Sequence, residues 1–184
     1  SRKVGNFLRS KYDCILSTSK TINYDNPLLN CRIEGLEHKS PAVIIVDRSF
    51  KIKKNLKIFR DKTRKIFIFT QMNKNIKEKY FKQIGVNIIK LKKNKNFEND
   101  IFEVYLHLKK LGFNRVLIES GIEYINEVLK HDLVKNFHLF KTSFKLRNDG
   151  KNNTKPFLIK KLKTTIKNKV KINLDGDSLY KIEL

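Results

Sequence analysis

Two polar segments of this sequence hold the residue types that could bind a phosphorylated ligand. STSKTINYDNPLLNCR follows the apolar run at residues 13–16, and ESGIEYIN follows RVLI. In the second segment a carboxylate, Glu119, precedes a small residue and Gly121 at a predicted helix start, where free amide groups suit a phosphate. Arg9 and Arg32 carry the planar fork that binds phosphate oxygens in pairs. Ligands of open parallel sheets collect beyond the carboxyl ends of the strands, so both segments lie where a binding site is expected.

The same residues also have plainer interpretations. Glu119 could be a surface carboxylate at a strand end, Gly121 a turn at a helix start, and the two arginines ordinary surface residues. Residue types and spacing alone leave both interpretations open.

Familiar nucleotide and metal motifs are absent from the sequence. The seven glycines form neither GxGxxG nor GxxxxGK[ST], and neither HExxH nor HxE…CxxC occurs. Cys14 and Cys31 have no CxxC spacing, which favours buried thiols, and the histidines are scattered. The sequence predicts no metal site.

The pattern of apolar residues predicts the scaffold. Strands are predicted at DCILSTS, PAVIIVD, KIFIFT, VNIIKLK and RVLIES, and helices at residues 1–12, NKNIKEKYFKQIG, NDIFEVYLHLKKLG and IEYINEVLKHDL. The third of these helices is expected to be capped by Asn99 and to end at Gly112. Strands alternating with helices favour an α/β fold with a mostly parallel central sheet flanked by helices.

The last third of the chain follows a different pattern. KNFHLFKTSFKL predicts a longer strand, NDGKNNTK a polar loop, and KVKINLDGDSLYKIEL two strands joined across residues 175–177. This C-terminal hairpin is expected to form an antiparallel edge. The lysine-rich stretches at residues 51–57 and 160–171 are interpreted as solvated strand faces.

Composition bounds the class of protein. With 184 residues, 40% of them hydrophobic, the chain suits a single domain, and without an apolar run of membrane length or a signal peptide it is expected to be soluble and cytoplasmic. The net charge of +23 raises a nucleic-acid partner as an alternative. However, the lysines are spread along the chain with abundant Asn and Ile, as an AT-rich coding sequence would produce, which disfavours that partner. A broad positive field would also attract phosphorylated small molecules.

Two motifs resemble a known family. FLRSKYDCILSTSKTINYDNPLLNCR is similar to the pattern LR…DAIL…T…DDP.LT.R, and RVLIESGIEYINEVL to the pattern VEGG…L…L. Both patterns belong to the reductase domain of the bacterial bifunctional riboflavin biosynthesis protein RibD. The resemblance covers nearly the whole chain and implies a dihydrofolate-reductase-like fold.

The resemblance also implies an activity and a site. The activity is the NADPH-dependent reduction of 5-amino-6-(5-phosphoribosylamino)uracil to 5-amino-6-(5-phosphoribitylamino)uracil by a homodimer, with no membrane partner. The implied cofactor-binding residues are Thr21, Asp25, Gly121, Ile122, Glu123, Tyr124, Ile125, Asn126 and Glu127. The implied substrate-binding residues are Arg9, Leu29, Arg32 and Glu119. No catalytic acid is assigned, and Asp25 or a water molecule stays a candidate.

The chain departs from the family pattern in places. Asn26 replaces a frequent Asp, Ser120 a frequent Gly, and Lys135 stands where Asp is usual. The resemblance further implies that residues 1–184 are one reductase domain without the family's first strand and without an upstream deaminase domain. A degenerate, non-catalytic reductase domain is therefore a second alternative.

Overall fold

The chain divides into two compact units, Arg2–Gly121 and Ile122–Leu184. The computed structural model describes residues 2–73, 75–93, 97–142, 156–165, 167–174 and 176–184. The predicted polar loop at residues 148–155 and the end of the predicted strand at residues 135–146 lie outside these ranges. Each unit has its own β-sheet.

The first unit is built on a five-stranded parallel sheet. Its strands are β1 (Cys14–Thr18), β2 (Ala42–Val46), β3 (Ile66–Thr70), β4 (Asn87–Lys90) and β5 (Val116–Ile118). They lie in the order β4-β3-β2-β1-β5. The continuous apolar sequences of β2 and β3 suit central strands that are buried on both faces. All five strands agree with the predicted apolar runs.

One strand is less buried than predicted. The side chains of β5 are half-buried, although its continuous apolar run is typical of a buried strand. The reason is its place in the sheet, because among the described residues β5 pairs with β1 alone and therefore lies at the edge. β4, at the opposite edge, is likewise partly exposed.

The described part of this unit has four α-helices and two 3₁₀ turns, of which α1 precedes β1 and the others connect the strands. They are α1 (Arg2–Arg9), α2 (Ser19–Asp25), α3 (Lys77–Gln83) and α4 (Phe97–Lys110), with 3₁₀ turns at Glu37–Lys39 and Lys57–Phe59. The predicted cap at Asn99 is wrong, since α4 begins at Phe97 and includes Asn99. The predicted end at Gly112 is confirmed, because its φ of 82° and the hydrogen bond from its N–H to Lys109 terminate the helix.

Aromatic side chains from three segments form the centre of the core. Phe81 of α3 is fully buried and meets the rings of Phe50, Phe59 and Tyr80 at centroid distances of 5.7, 5.1 and 5.3 Å. Aliphatic side chains of β1, β2 and β3 complete this cluster. Its packing fixes one face of the sheet.

The second unit combines two helices with a three-stranded antiparallel sheet. Its elements are α5 (Ile122–Lys130), β6 (Asn136–Lys141), α6 (Pro156–Thr164), β7 (Asn168–Lys169) and β8 (Ser178–Glu183). The strands lie in the order β6-β8-β7. The predicted antiparallel pairing near the C-terminus is present, but the first of the two predicted strands is reduced to the two residues of β7. The central strand, β8, pairs with both β6 and β7.

The lysine-rich stretches are mostly not strand faces, so that interpretation is wrong except at the exposed strand residues Asn168 and Lys169 of β7. Residues 160–164 belong to α6, where Pro156 suits the first helical position and Leu158 is buried. Lys161 Nζ donates to the carbonyl oxygen of Leu129 at 3.1 Å and pairs with Asp132 at 2.5 Å, which ties α6 to α5. The stretch at residues 51–57 is irregular and lies beside α2. Among the described residues, no helix has the length and apolar character that a membrane crossing requires.

Candidate active site

The strand order reverses between β1 and β5. Along the chain, β1 to β4 are laid down towards one edge of the sheet, and β5 then returns to the other side of β1. At such a reversal the loops after the two neighbouring strands diverge and leave room for a ligand beyond their carboxyl ends. The two polar segments singled out from the sequence follow these two strands.

A network of hydroxyl groups joins the two segments at this point. Thr18, at the end of β1, caps α2, and its Oγ1 lies 3.1 Å from Thr21 Oγ1 and 3.3 Å from Ser120 Oγ. The amide of Gly121 donates to Thr21 Oγ1 at 3.0 Å. The structure thus brings together Thr21 and Gly121, two predicted cofactor residues that are far apart in the sequence.

Two predicted substrate residues pair with each other. Arg9 donates from Nε and Nη2 to the two carboxylate oxygens of Glu119, each at 2.8 Å, and from Nη1 to the carbonyl oxygen of Asn30 at 3.2 Å. The side chains of Arg9 and Glu119 are 16% and 29% exposed. The hydrogen bond to Glu119 raises the pKa of Arg9, although burial opposes this. Every nitrogen of the Arg9 guanidinium therefore already has an acceptor.

The other predicted residues of the first motif occupy contrasting environments. Leu29 belongs to the hydrophobic core and is 5% exposed, so its side chain offers little surface to a ligand. Asp25, the last residue of α2, and Arg32 are both exposed. Within the described part of the chain, neither of these two charged groups has a hydrogen bond or an ion pair.

Polar side chains inside and outside the motif hold its loop in place. Asn26 ends α2 in the left-handed conformation, and its side chain accepts a hydrogen bond from the amide of Lys57 at 2.8 Å. Arg32 donates its amide to Asn6 Oδ1 of α1 at 3.2 Å. The guanidinium of Arg64 donates to the carbonyl oxygens of Leu28 and Leu29. No sequence motif marks Asn6 or Arg64 as part of the site.

Six further predicted cofactor residues form the beginning of α5 in the second unit. Tyr124 and Asn126 are buried, whereas Glu123 is exposed in the first turn. The carboxylate of Glu127 accepts from Lys130 at 2.8 Å, and this bond lowers the pKa of Glu127. Any anion contact from this helix would therefore come from the N–H groups of its first turn.

A second polar cluster lies at the carboxyl ends of β2 and β3. Arg48 Nε lies 2.8 Å from Asp100 Oδ2 and 3.1 Å from Gln71 Oε1, and Gln71 Nε2 donates to Asp100 Oδ1 at 2.5 Å. These contacts tie the two strand ends to α4. Across the described ranges, no group of three His, Cys, Asp or Glu side chains could hold a metal ion.

The fold and the switch-point network define an α/β protein with a candidate ligand site at the carboxyl edge of a parallel sheet. The family profile described as the RibD C-terminal domain matches residues 1–172, and the chain belongs to this family. The riboflavin biosynthesis protein RibD of Buchnera aphidicola subsp. Baizongia pistaciae is 28% identical, over 72% of this chain and 38% of that protein. The 5-amino-6-(5-phosphoribosylamino)uracil reductase of Buchnera aphidicola subsp. Acyrthosiphon pisum is 30% identical, over 61% of this chain and 57% of that protein. The matches thus span 38% and 57% of the length of these two relatives.

Solved structures share the fold. Acinetobacter baumannii RibD superposes with a TM-score of 0.75 at 16% identity, over 99% of this chain and 49% of that one. The deaminase/reductase of Thermotoga maritima superposes with a TM-score of 0.70 at 17% identity, over 97% of this chain and 47% of that one. The family profile confirms the predicted family, and these superpositions confirm the dihydrofolate-reductase-like fold class.

Proposed function

We propose that the chain is a reductase domain that uses NADPH to reduce 5-amino-6-(5-phosphoribosylamino)uracil to 5-amino-6-(5-phosphoribitylamino)uracil. The family membership and the reductase name of one relative support this reaction. The comparisons do not favour the nucleic-acid-binding alternative. We also propose a homodimer, which light scattering after size-exclusion chromatography would test.

The observation that carries the proposal is the network at the switch point. Its donors are the hydroxyls of Thr18, Thr21 and Ser120, and the neighbouring carboxylate of Glu119 is neutralised by Arg9. A donor set of this kind does not repel an anionic ligand, so these residues fit a phosphorylated cofactor. When bound, the nicotinamide cofactor would supply the hydride that reduces C1′ of the opened ribose.

The protein would contribute binding and orientation. Thr21 and Gly121 would hold the cofactor near the β1 and β5 ends. Arg32 is the exposed guanidinium of the motif and would bind the substrate phosphate, because the nitrogens of Arg9 are already engaged. Holding the two reactants together in a fixed orientation would lower the entropic part of the barrier.

Calorimetric titration with NADPH and NADH at two salt concentrations tests the cofactor assignment. A Cβ at Gly121 would lie 3.5 Å from Thr21 Oγ1, an ordinary contact, so Gly121→Ala should fold. The added methyl group would stand beside Thr21 Oγ1, where the cofactor is proposed to bind, and should displace one hydrogen bond to it, so the Kd for NADPH should rise roughly fivefold. Gly5→Ala, where a Cβ meets open space, is the control and should bind like the wild type. Equal affinity for both cofactors, or binding that disappears with salt, would contradict the assignment.

Turnover of the substrate tests the role of Arg32. Arg32→Ala should raise the KM for substrate about tenfold or more and leave the Kd for NADPH unchanged, since a charge-assisted bond contributes about 1.5–3 kcal/mol. Arg60→Ala removes a similarly exposed arginine and serves as the matched control. Equal loss of substrate and cofactor affinity in Arg32→Ala would show that the assigned role is wrong. NADPH binding without turnover by the wild type would instead support the degenerate-domain alternative.

A further inference from the structure

Two guanidinium groups hold three consecutive carbonyl oxygens in the first motif. Arg64 Nη1 donates to the oxygen of Leu29 at 2.6 Å, and Arg64 Nη2 donates to that of Leu28. Arg9 Nη1 donates to the oxygen of Asn30 at 3.2 Å. Leu28, Leu29 and Asn30 thus form a carbonyl segment whose oxygens all point at fixed positive charges.

This arrangement counteracts an unfavourable backbone conformation. Leu29 has a φ of 51°, in the left-handed region that a leucine rarely adopts, and such a residue persists only where its surroundings hold it. Its buried side chain and its bonded carbonyl both restrain it.

Arg64 is a buried arginine whose charge is locally balanced. Its side chain is 3% exposed, and Nε lies 3.1 Å from Asp61 Oδ2. Burial lowers the pKa of Arg64, Asp61 opposes this, and the nearby charge of Arg9 lowers the pKa further. An arginine stays protonated in such surroundings, so its fork remains available to the carbonyl oxygens.

The residues after the carbonyl segment are also anchored through their amides. Cys31 donates its amide to Ser40 Oγ at 3.1 Å, and Arg32 donates its amide to Asn6 Oδ1 at 3.2 Å. We propose that Arg64 is a positioning residue that fixes the carbonyl segment and thereby places Arg32 for substrate binding. This inference rests on the proposed function, because Arg32 is the residue assigned there to the substrate phosphate.

Arg64→Lys tests the inference. A lysine keeps the positive charge beside Asp61, but its single ammonium group lacks the planar fork that two carbonyl oxygens require. Arg60→Lys controls for the effect of replacing any exposed arginine by lysine. Arg115→Lys controls for the weakening of a purely structural ion pair, since Arg115 bonds Asp13 beside the amino ends of β1 and β5.

Hydrogen exchange is measured on the ligand-free protein, and steady-state kinetics are measured during turnover. In hydrogen exchange, the peptide with the Cys31 and Arg32 amides should exchange about tenfold faster in Arg64→Lys than in either control, because both amides depend on the position of the loop. In steady-state kinetics, the KM for substrate should rise about tenfold, while kcat and the Kd for NADPH change less than about twofold.

The outcomes separate this inference from the proposed function. Unchanged exchange in Arg64→Lys would overturn the positioning role whether or not the enzyme turns over. Faster exchange with an unchanged KM would also overturn it, because the loop would then not determine substrate binding. A wild-type protein without reductase activity would contradict the proposed function. It would also contradict the role of Arg64 in placing Arg32 for substrate binding.

Discussion

The ion pair between Arg9 and Glu119 should stabilise the first unit measurably, and a double-mutant cycle tests this. The cycle compares the wild type with Arg9→Met, Glu119→Gln and the double variant. Glu119→Gln keeps the shape of the side chain and removes its charge. Arg9→Met keeps most of the aliphatic length and removes all the donors.

The expected coupling follows from geometry and burial. Two parallel N–H···O bonds of 2.8 Å join the groups, and both side chains are less than one third exposed. Exposed pairs contribute about 0.2–1 kcal/mol, whereas breaking a buried pair costs about 3–5 kcal/mol. The Arg9–Glu119 pair lies between these limits, so we expect a coupling of about 1–2.5 kcal/mol.

Urea unfolding followed by far-ultraviolet circular dichroism measures the four free energies. The chain has no tryptophan, so backbone dichroism is a better signal than intrinsic fluorescence. The pair of Lys181 and Glu183, which are 43% and 69% exposed, provides a control cycle through Lys181→Met and Glu183→Gln. Its coupling should be below about 0.5 kcal/mol and should vanish at high salt, while that of Arg9 and Glu119 should persist. A coupling for Arg9 and Glu119 no larger than the control would refute this reasoning.

Three further predictions concern the hydroxyl network, the loss of stability at low pH and the hydrophobic core. Thr21→Val removes the hydroxyl that accepts the Gly121 amide and should weaken NADPH binding roughly fivefold in calorimetry, with an unchanged far-ultraviolet spectrum. Burial raises the pKa of Asp13, but two backbone amides and the Arg115 guanidinium lower it to a net value below 3.8. The stability from this group is therefore present above about pH 4 and lost as the pH falls through the folded pKa, so Asp13→Asn should flatten that loss in urea titrations between about pH 2 and 5. Phe81→Ala should cost about 3–5 kcal/mol in the same assay, because the ring is fully buried among three others.

The parallel sheet could be predicted because its strands are continuous apolar runs. Burial on both faces leaves Thr70, at the end of β3, as the one polar position in β2 and β3, and turn residues separate the runs. The helix α2 was missed because its seven residues, SKTINYD, show no apolar periodicity. Its ends are marked by the local capping bonds of Thr18 with Thr21 and of Asn26 with Ile22.

The candidate site could be predicted only as two separate segments. Their positions after apolar strands indicated the carboxyl edge, and the family motifs named Thr21, Arg32 and Glu119. The pairing of Arg9 with Glu119 could not be predicted, since each residue alone resembles a surface charge. The role of Arg64 in holding the loop likewise depends on a contact across 35 positions, which no local pattern reveals.

The return of β5 to the side of β1 has a consequence for synthesis of the protein. Arg9 and Glu119 are 110 positions apart, and Thr18 and Ser120 are 102 apart. During translation, the contacts of the N-terminal part of the site therefore cannot form until the last strand of the parallel sheet has been made. Bringing segments about 100 residues apart together is slow. Until then, β1 presents an unpaired edge to other chains in the cell. A nascent chain released before β5 would hold most of the hydrophobic core but neither the ion pair nor the hydroxyl network, so this part of the candidate site would form only when the last strand of the parallel sheet joins it.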